Sequence, residues 1–175
     1  MTRFPISLAA PARFSAPPPA QADVVVIGGG VAGVMTAWYL ARAGQKVALC
    51  EKGRIAGEQS SRNWGWIRKQ GRDPAELPLM IEAQAIWQGL EAEAQADFGY
   101  RQAGVLYIAN GADDMAQYEA WMTHARAHGL DTRLLGRAEL ESMLPNRAGW
   151  VGGLLTPSDG RAEPWAAVPA LAAAL

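Results

Sequence analysis

The sequence predicts an α/β protein built around a parallel strand–helix–strand unit, and three observations carry that reading. Asp23 is followed by Val24-Val25-Val26-Ile27, a short β-branched run of the kind that forms a buried strand. Gly28-Gly29-Gly30-Val31-Ala32-Gly33 then reads as a tight turn opening a helix, which stops at Gly44, a good residue just past a helix end. Lys46 to Glu51 forms a second strand and ends on an acid 23 positions after Gly28.

Together these are G-x-G-x-x-G in its required setting, strand before, helix after and acid in place, which is a dinucleotide-binding fingerprint. Gly28 allows the sharp turn, Gly30 lets the backbone approach a pyrophosphate, and Gly33 lets the helix sit close to the strand. The first-turn N–H groups, at Val31 and Ala32, and the positive end of the helix dipole face the phosphates. Glu51 accepts hydrogen bonds from a ribose 2′-hydroxyl and repels a 2′-phosphate, which favours NAD or FAD over NADP. The competing reading is a structural strand–turn–helix of some other α/β fold.

The 175 residues suffice for one domain or one and a fraction, and half of them are apolar. A net charge of −1 supplies no field for nucleic acid or an anionic membrane. Cys50 is the one cysteine and reads as a small buried hydrophobe in the second strand. Without a second thiol no intrachain disulfide forms, so a reducing, cytoplasmic setting is expected. Residues 1–21 carry five prolines and no sustained apolar core, and are expected to be a flexible leader and not a signal peptide. No stretch of 18 apolar residues occurs, so no transmembrane helix is expected.

Beyond Glu51, Gly57 to Trp66 reads as a ligand-lining loop of small, polar and aromatic residues. Asp73-Pro74-Ala75-Glu76 is a helix start with an Asp cap, Pro at the first position and Glu at the third, although Pro78 shifts the start to about 77. That helix is expected to reach about Phe98, with Met80, Gln84, Trp87, Leu90 and Ala94 on one face. Val105–Ile108 is a short strand, and Asp113 or Asp114 caps a helix that Gly129 ends. Arg133–Leu135 suggests a strand, Arg137–Leu144 a short helix stopped by Pro145, Trp150–Leu155 another strand, and Pro164 opens a last helix. Only two parallel strands are expected, too few to bury a stable sheet. The sequence is therefore expected to be truncated: the N-terminal part of a larger protein, or one subunit of a split one.

The order Gly28-x-Gly30-x-x-Gly33, then Glu51-Lys52-Gly53, then Ser60-Ser61-Arg62-Asn63-x-Gly65 resembles the D-amino acid oxidase / sarcosine oxidase family of FAD-dependent oxidoreductases, near its D-amino acid dehydrogenase-like members. The Gly104-Val-Leu-Tyr-Ile strand and the Thr156 to Pro164 segment extend that resemblance from about Ala22 to the last residue. It implies a Rossmann-like FAD-binding βαβ unit with part of an α+β substrate domain. The expected division is 1–21 leader, 22–98 FAD-binding part, 99–160 partial substrate domain and 161–175 the start of a return helix. Gly28, Gly30, Val31, Ala32 and Gly33 would hold the FAD pyrophosphate, Glu51 the ribose, and Lys52 would lie beside the adenine. Ser60, Ser61, Arg62 and Asn63 would line the diphosphate and the near edge of the flavin, with Gly65 approaching the isoalloxazine.

The implied chemistry is hydride transfer to flavin N5 from a C–H next to the nitrogen of an amino acid or related secondary amine. No catalytic acid or base stands out. Arg68 is the candidate for a substrate carboxylate, with Arg72 beside it, and a surface or structural arginine is the competing reading. The family's further substrate contacts and its closing glycine-rich motif are expected beyond residue 175. Trp64 and Trp66 suit either packing on the flavin or filling the domain junction. His124 and His128 stand at i, i+4, but without the H-E-x-x-H glutamate they read as a solvated helix face, and no metal site is expected. Asp113 and Asp114 read as helix capping. Two other functional readings stand beside the flavin enzyme: a non-catalytic dinucleotide-binding remnant or subunit that needs a partner half, and an NAD-dependent dehydrogenase.

Overall fold

A computed structural model of the chain describes residues 6–144 and 149–175. The expected order of elements is present. Strand β1 is Val24–Ile27, helix α1 Val31–Arg42 and strand β2 Val47–Cys50. After β2 come a single 3₁₀ turn at Gln59–Ser61, strand β3 (Trp66–Ile67), a 3₁₀ turn at Pro74–Glu76 and helix α2 (Leu77–Ala94). Strand β4 (Val105–Ala109), helix α3 (Ala112–Ala127), strand β5 (Arg133–Gly136) and helix α4 (Arg137–Met143) follow. Strand β6 (Gly152–Thr156), strand β7 (Gly160–Arg161) and helix α5 (Pro164–Ala173) complete the described elements.

The chain divides into two compact units. One takes the described residues up to Trp66 together with Gly89–Tyr100 and Ala162–Leu175. Its sheet is the parallel pair β1–β2, in register from Val24 opposite Val47 to Ile27 opposite Cys50. Strands joined by a helix run parallel, and α1 supplies that crossover. Val34, Ala37 and Trp38 are the buried positions of α1, and α5 packs against the same helix through its own apolar run. The pair is not covered evenly: Val25 is 58% and Ile27 87% exposed. Cys50 shares this exposure, which corrects its reading as a buried hydrophobe. It is the last residue of β2, opposite the exposed Ile27, and strand composition alone does not show that this end of the pair is uncovered.

The second unit takes Ile67–Gln88 and Arg101–Arg161. It is built on an antiparallel sheet of order β4–β6–β5, with Val105 opposite Thr156 and Arg133 opposite Leu155. Helix α3 lies on this sheet, placing Met122 and Ala125 on Leu154, with Tyr107, Tyr118 and Trp121 around them. The sequence-based division keeps residues 67–88 with the first unit. By packing they join the second, because Lys69, Gln70 and Gln84 bond to the segment Leu154–Asp159.

Local signals set most boundaries. Asp73 caps the 3₁₀ turn by accepting from Ala75 N–H at 2.8 Å, and α2 begins at Leu77, where Pro78 is tolerated in the first turn. Helix α2 ends at Ala94, short of the expected Phe98. Gln95 takes a left-handed φ of +51°, and Glu91 Oε1 then accepts from Phe98 N–H and Tyr100 N–H, folding the chain back. At α3 the cap is Gly111, not an aspartate; Asp113 and Asp114 sit in the first turn, and Asp114 reaches back to accept from Asn110 N–H at 2.8 Å. Both acids favour the positive helix end, so the position was legible and the role of each was not. The stop expected at Pro145 lies outside the described residues.

Candidate functional site: a glycine turn, an acid and a serine loop

The glycine turn connects β1 to α1 in the first unit, and each glycine has its own constraint. Gly28 has φ +114°, a conformation that L side chains rarely adopt. A Cβ on Gly33 would lie 1.9 Å from the Gly28 carbonyl oxygen, so the helix reaches its strand only because none is there. Gly30 is the N-cap of α1 and offers no side chain to its open N–H groups. No acidic residue stands in the first turn either.

Two side chains from later in the sequence close on this turn. Ser60 Oγ accepts from Val31 N–H at 2.9 Å, tying the 57–65 loop to the head of α1. Glu51, half-buried at the end of β2, accepts from Gly29 N–H through Oε2 and from Gly53 N–H through Oε1, both at 2.7 Å. A carboxylate offers about four acceptor positions, so two such bonds fix its orientation and leave lone pairs for a ligand's hydroxyls.

The loop itself is held by its own polar groups. Asn63 Oδ1 accepts from Gly65 N–H at 2.7 Å, while its amide donates to the Ser60 carbonyl at 3.2 Å. Arg62 donates to the Gly57 carbonyl at 3.0 Å, Ser61 is buried, and Lys52 is exposed. Gly65 has φ +72°, and a Cβ there would lie 2.0 Å from the Ala162 carbonyl oxygen. The chain's own packing thus requires a glycine at this position. Trp64 is 80% exposed and meets Trp66 edge-on, with ring centroids 5.4 Å apart.

The structure therefore brings together Gly28, Gly30, Val31, Ala32, Gly33, Glu51 and Ser60, with Ser61, Arg62, Asn63 and Gly65 in the adjoining loop. Arg68 belongs to the second unit. There its guanidinium lies 5.7 Å from the Tyr107 ring centroid and donates to the Gln70 carbonyl. His124 is half-buried and His128 exposed, and among the described residues no group of three or more His, Cys, Asp or Glu is placed to hold a metal.

Sequence reasoning passed over Gly29, whose Cβ would stand 2.4 Å from Ile55 Cδ1 and 3.0 Å from Glu51 Cβ. The run of three glycines was its signal. It also passed over Arg54 and Ile55, for which the sequence held none. Beside Glu51 the first unit contains a cavity of about 370 Å³, bounded by Leu49, Ile55, Trp165 and Pro169 among others. An acid that orients hydroxyls next to a cleft with both apolar and charged walls, with a helix N-terminus at the adjoining turn, fits an adenine dinucleotide.

Comparisons with known proteins identify the relatives of this chain. The chain is 32% identical over 154 residues to mitochondrial sarcosine dehydrogenase of Mus musculus, covering 86% of this chain and 17% of that protein. It is 33% identical over 138 residues to sarcosine oxidase subunit beta of Rhizobium meliloti (strain 1021), covering 78% of this chain and 33% of the relative. Among solved structures, L-amino acid deaminase from Proteus myxofaciens superposes with a TM-score of 0.85 at 30% identity, over 96% of this chain and 39% of that one. The chain thus spans well under half the length of each of these proteins. The model of the FAD dependent oxidoreductase family, DAO, matches residues 23–175, and this chain belongs to that family.

Proposed function

We propose that this chain supplies the FAD-binding half of an oxidoreductase that acts on an amino acid or a related secondary amine. The observation that carries the proposal is the convergence on α1: Ser60 Oγ on Val31 N–H and Glu51 on Gly29 N–H hold loop, turn and acid around one helix N-terminus. In this reading Gly28, Gly30 and Gly33 keep side chains away from a pyrophosphate that the N–H groups of α1 contact. Glu51 orients the ribose and Lys52 flanks the adenine. Ser60, Ser61, Arg62 and Asn63 line the diphosphate, and Gly65 brings backbone up to the flavin. Bound FAD supplies the hydride acceptor for oxidation of the C–H next to the amine nitrogen.

The proposal assigns residues 22–98 and 161–175 mainly to cofactor binding and 99–160 to part of a substrate domain. It gives Arg68 the substrate carboxylate, on the support that its guanidinium is held against Tyr107 by a bond to Gln70. Catalysis by this reading needs further sequence, either on the same polypeptide or on a partner subunit. One relative bears the name of a subunit, which supports the second option. A cytoplasmic setting is part of the proposal, supported by a free, exposed thiol at Cys50. Among the described residues no helix is long and apolar enough to cross a membrane.

The purified chain, titrated with FAD, is expected to take up the cofactor and show the visible absorption of a bound flavin. Glu51→Gln keeps the shape but loses the charge, and is expected to weaken FAD by about tenfold, one charged hydrogen bond's worth. A chain that stays colourless with FAD refutes cofactor binding by this half alone. A chain that binds FAD, and stays without amine oxidation when joined to the remaining sequence, establishes the non-catalytic reading.

A further inference from the structure

The leader does not leave the first unit freely. Arg54, three residues beyond Glu51, donates from Nε to the Ala10 carbonyl at 2.7 Å and from Nη2 to the Leu8 carbonyl at 3.1 Å. Its Nη1 donates to the Gly53 carbonyl at 2.9 Å, so one planar guanidinium joins the leader to the loop that orients Glu51. A turn closed by Ala10 N–H on the Ser7 carbonyl presents the two leader carbonyls together. Leu8 reaches the same loop: a Cβ on Gly53 would lie 3.4 Å from Leu8 Cδ2 and 3.4 Å from Glu51 Oε1. Ile6 and the stretch Ala10 to Phe14 then form one wall of the 370 Å³ cavity, facing Glu51, Ile55, Trp165 and Pro169.

We propose that the leader from Ile6 to Phe14 is a strap that closes the adenosine end of the cofactor site, latched by Arg54. The cavity's chemistry selects that half of the ligand. Apolar and aromatic walls suit the faces of a purine, and Glu51 suits ribose hydroxyls. Arg13, which also lines the cavity, adds a cation to its wall. Proline at position 11 limits the backbone freedom of a segment that has no regular secondary structure, so less conformational freedom is lost when it closes. The strap rests on the FAD reading above and adds to it a retention device outside the glycine fingerprint.

The test compares the wild-type chain with Arg54→Ala and Arg54→Lys, measuring ADP by calorimetry and FAD by flavin fluorescence. Both ligands are expected to bind about tenfold more weakly to Arg54→Ala, with Arg54→Lys between, because lysine keeps the charge and loses the fork. As a readout that needs no variant, trypsin cleavage after Arg13 is expected to slow about tenfold with saturating ADP while cleavage after Arg126 is unchanged. That protection decides the matter should Arg54→Ala fail to fold. Unaltered affinities together with ADP-insensitive cleavage overturn the strap and leave the FAD reading standing. Tighter binding by Arg54→Ala also overturns it, since the leader would then obstruct the cavity. A wild-type chain that binds neither ADP nor FAD overturns both.

Discussion

The two units position their functional groups by opposite means. In the first, placement depends on the backbone: no Cβ at Gly33 or Gly29 keeps it close-packed, and Glu51 and Ser60 bond its N–H groups. In the second, it depends on buried charge. Asp159 is fully buried, accepts from Lys69 N–H at 2.9 Å and Gln70 N–H at 3.0 Å, and pairs with the Lys69 ammonium at 3.0 Å. That ammonium also bonds Gln84 and Ser158, while Gln70 joins Thr156, which joins Thr132. Such a network orders the segment that follows β3 and carries Arg68. The contrast teaches that the first unit places its groups through backbone that glycine leaves open, whereas the second places them through a buried network of side chains.

The largest effect expected from disturbing this contrast is at Asp159. Asp159→Asn leaves the buried Lys69 ammonium without its counter-charge, at a cost of about 3–5 kcal/mol. Chemical denaturation is the check, and the double variant Asp159→Asn with Lys69→Met should recover a good part of the loss. Recovery of nothing would show that the backbone bonds matter and the charge pair does not. The first unit breaks differently. Gly33→Ala sets a Cβ against a backbone oxygen, so α1 must retreat from β1, at a cost of about 3 kcal/mol with loss of FAD uptake. If Gly33→Ala binds FAD as well as wild type, the close approach of helix and strand is not what shapes the cradle.

A smaller effect belongs to Tyr118, whose hydroxyl donates to the Ile108 carbonyl at 3.1 Å. Burial, with the charge of Asp114 and the neighbouring Tyr107 adding to it, raises its pKa above the ordinary 10.0. A raised pKa means the neutral phenol is favoured in the folded state, so its contribution is complete below pH 10 and lost as pH rises through the folded value. The unfolding midpoint should therefore fall in alkali, and Tyr118→Phe should flatten part of that fall. An identical alkaline profile in the phenylalanine variant would remove Tyr118 as its source.

Legibility in the sequence followed the range of the interactions. β1, the glycine turn, α1 and β2 were readable because the periodicity, the glycines and Glu51 act within about two dozen residues of one another. Caps were readable where one residue type does one job, as at Asp73, and misassigned where two adjacent acids share it, as at Asp113 and Asp114. Ser60 was readable as a loop residue and its bond to Val31 was not, since 29 residues separate them. The polar network was hinted at by a glutamine, Gln84, on the inward face of α2, but its partner Asp159 stands 75 residues away.

The sequence by itself determined a dinucleotide cradle: glycines where a Cβ cannot fit, followed by an acid at the end of the next strand, are steric and electrostatic demands that local residues meet alone. Only tertiary structure decided which groups complete it. The 57–65 loop reaches α1 through Ser60, Asp159 orders the segment after Arg68 from elsewhere in the second unit, and the leader finds its place through Arg54. Each of these is a polar bond between residues far apart in the chain. Periodicity encodes which face is buried, but not which distant donor an exposed carbonyl will meet.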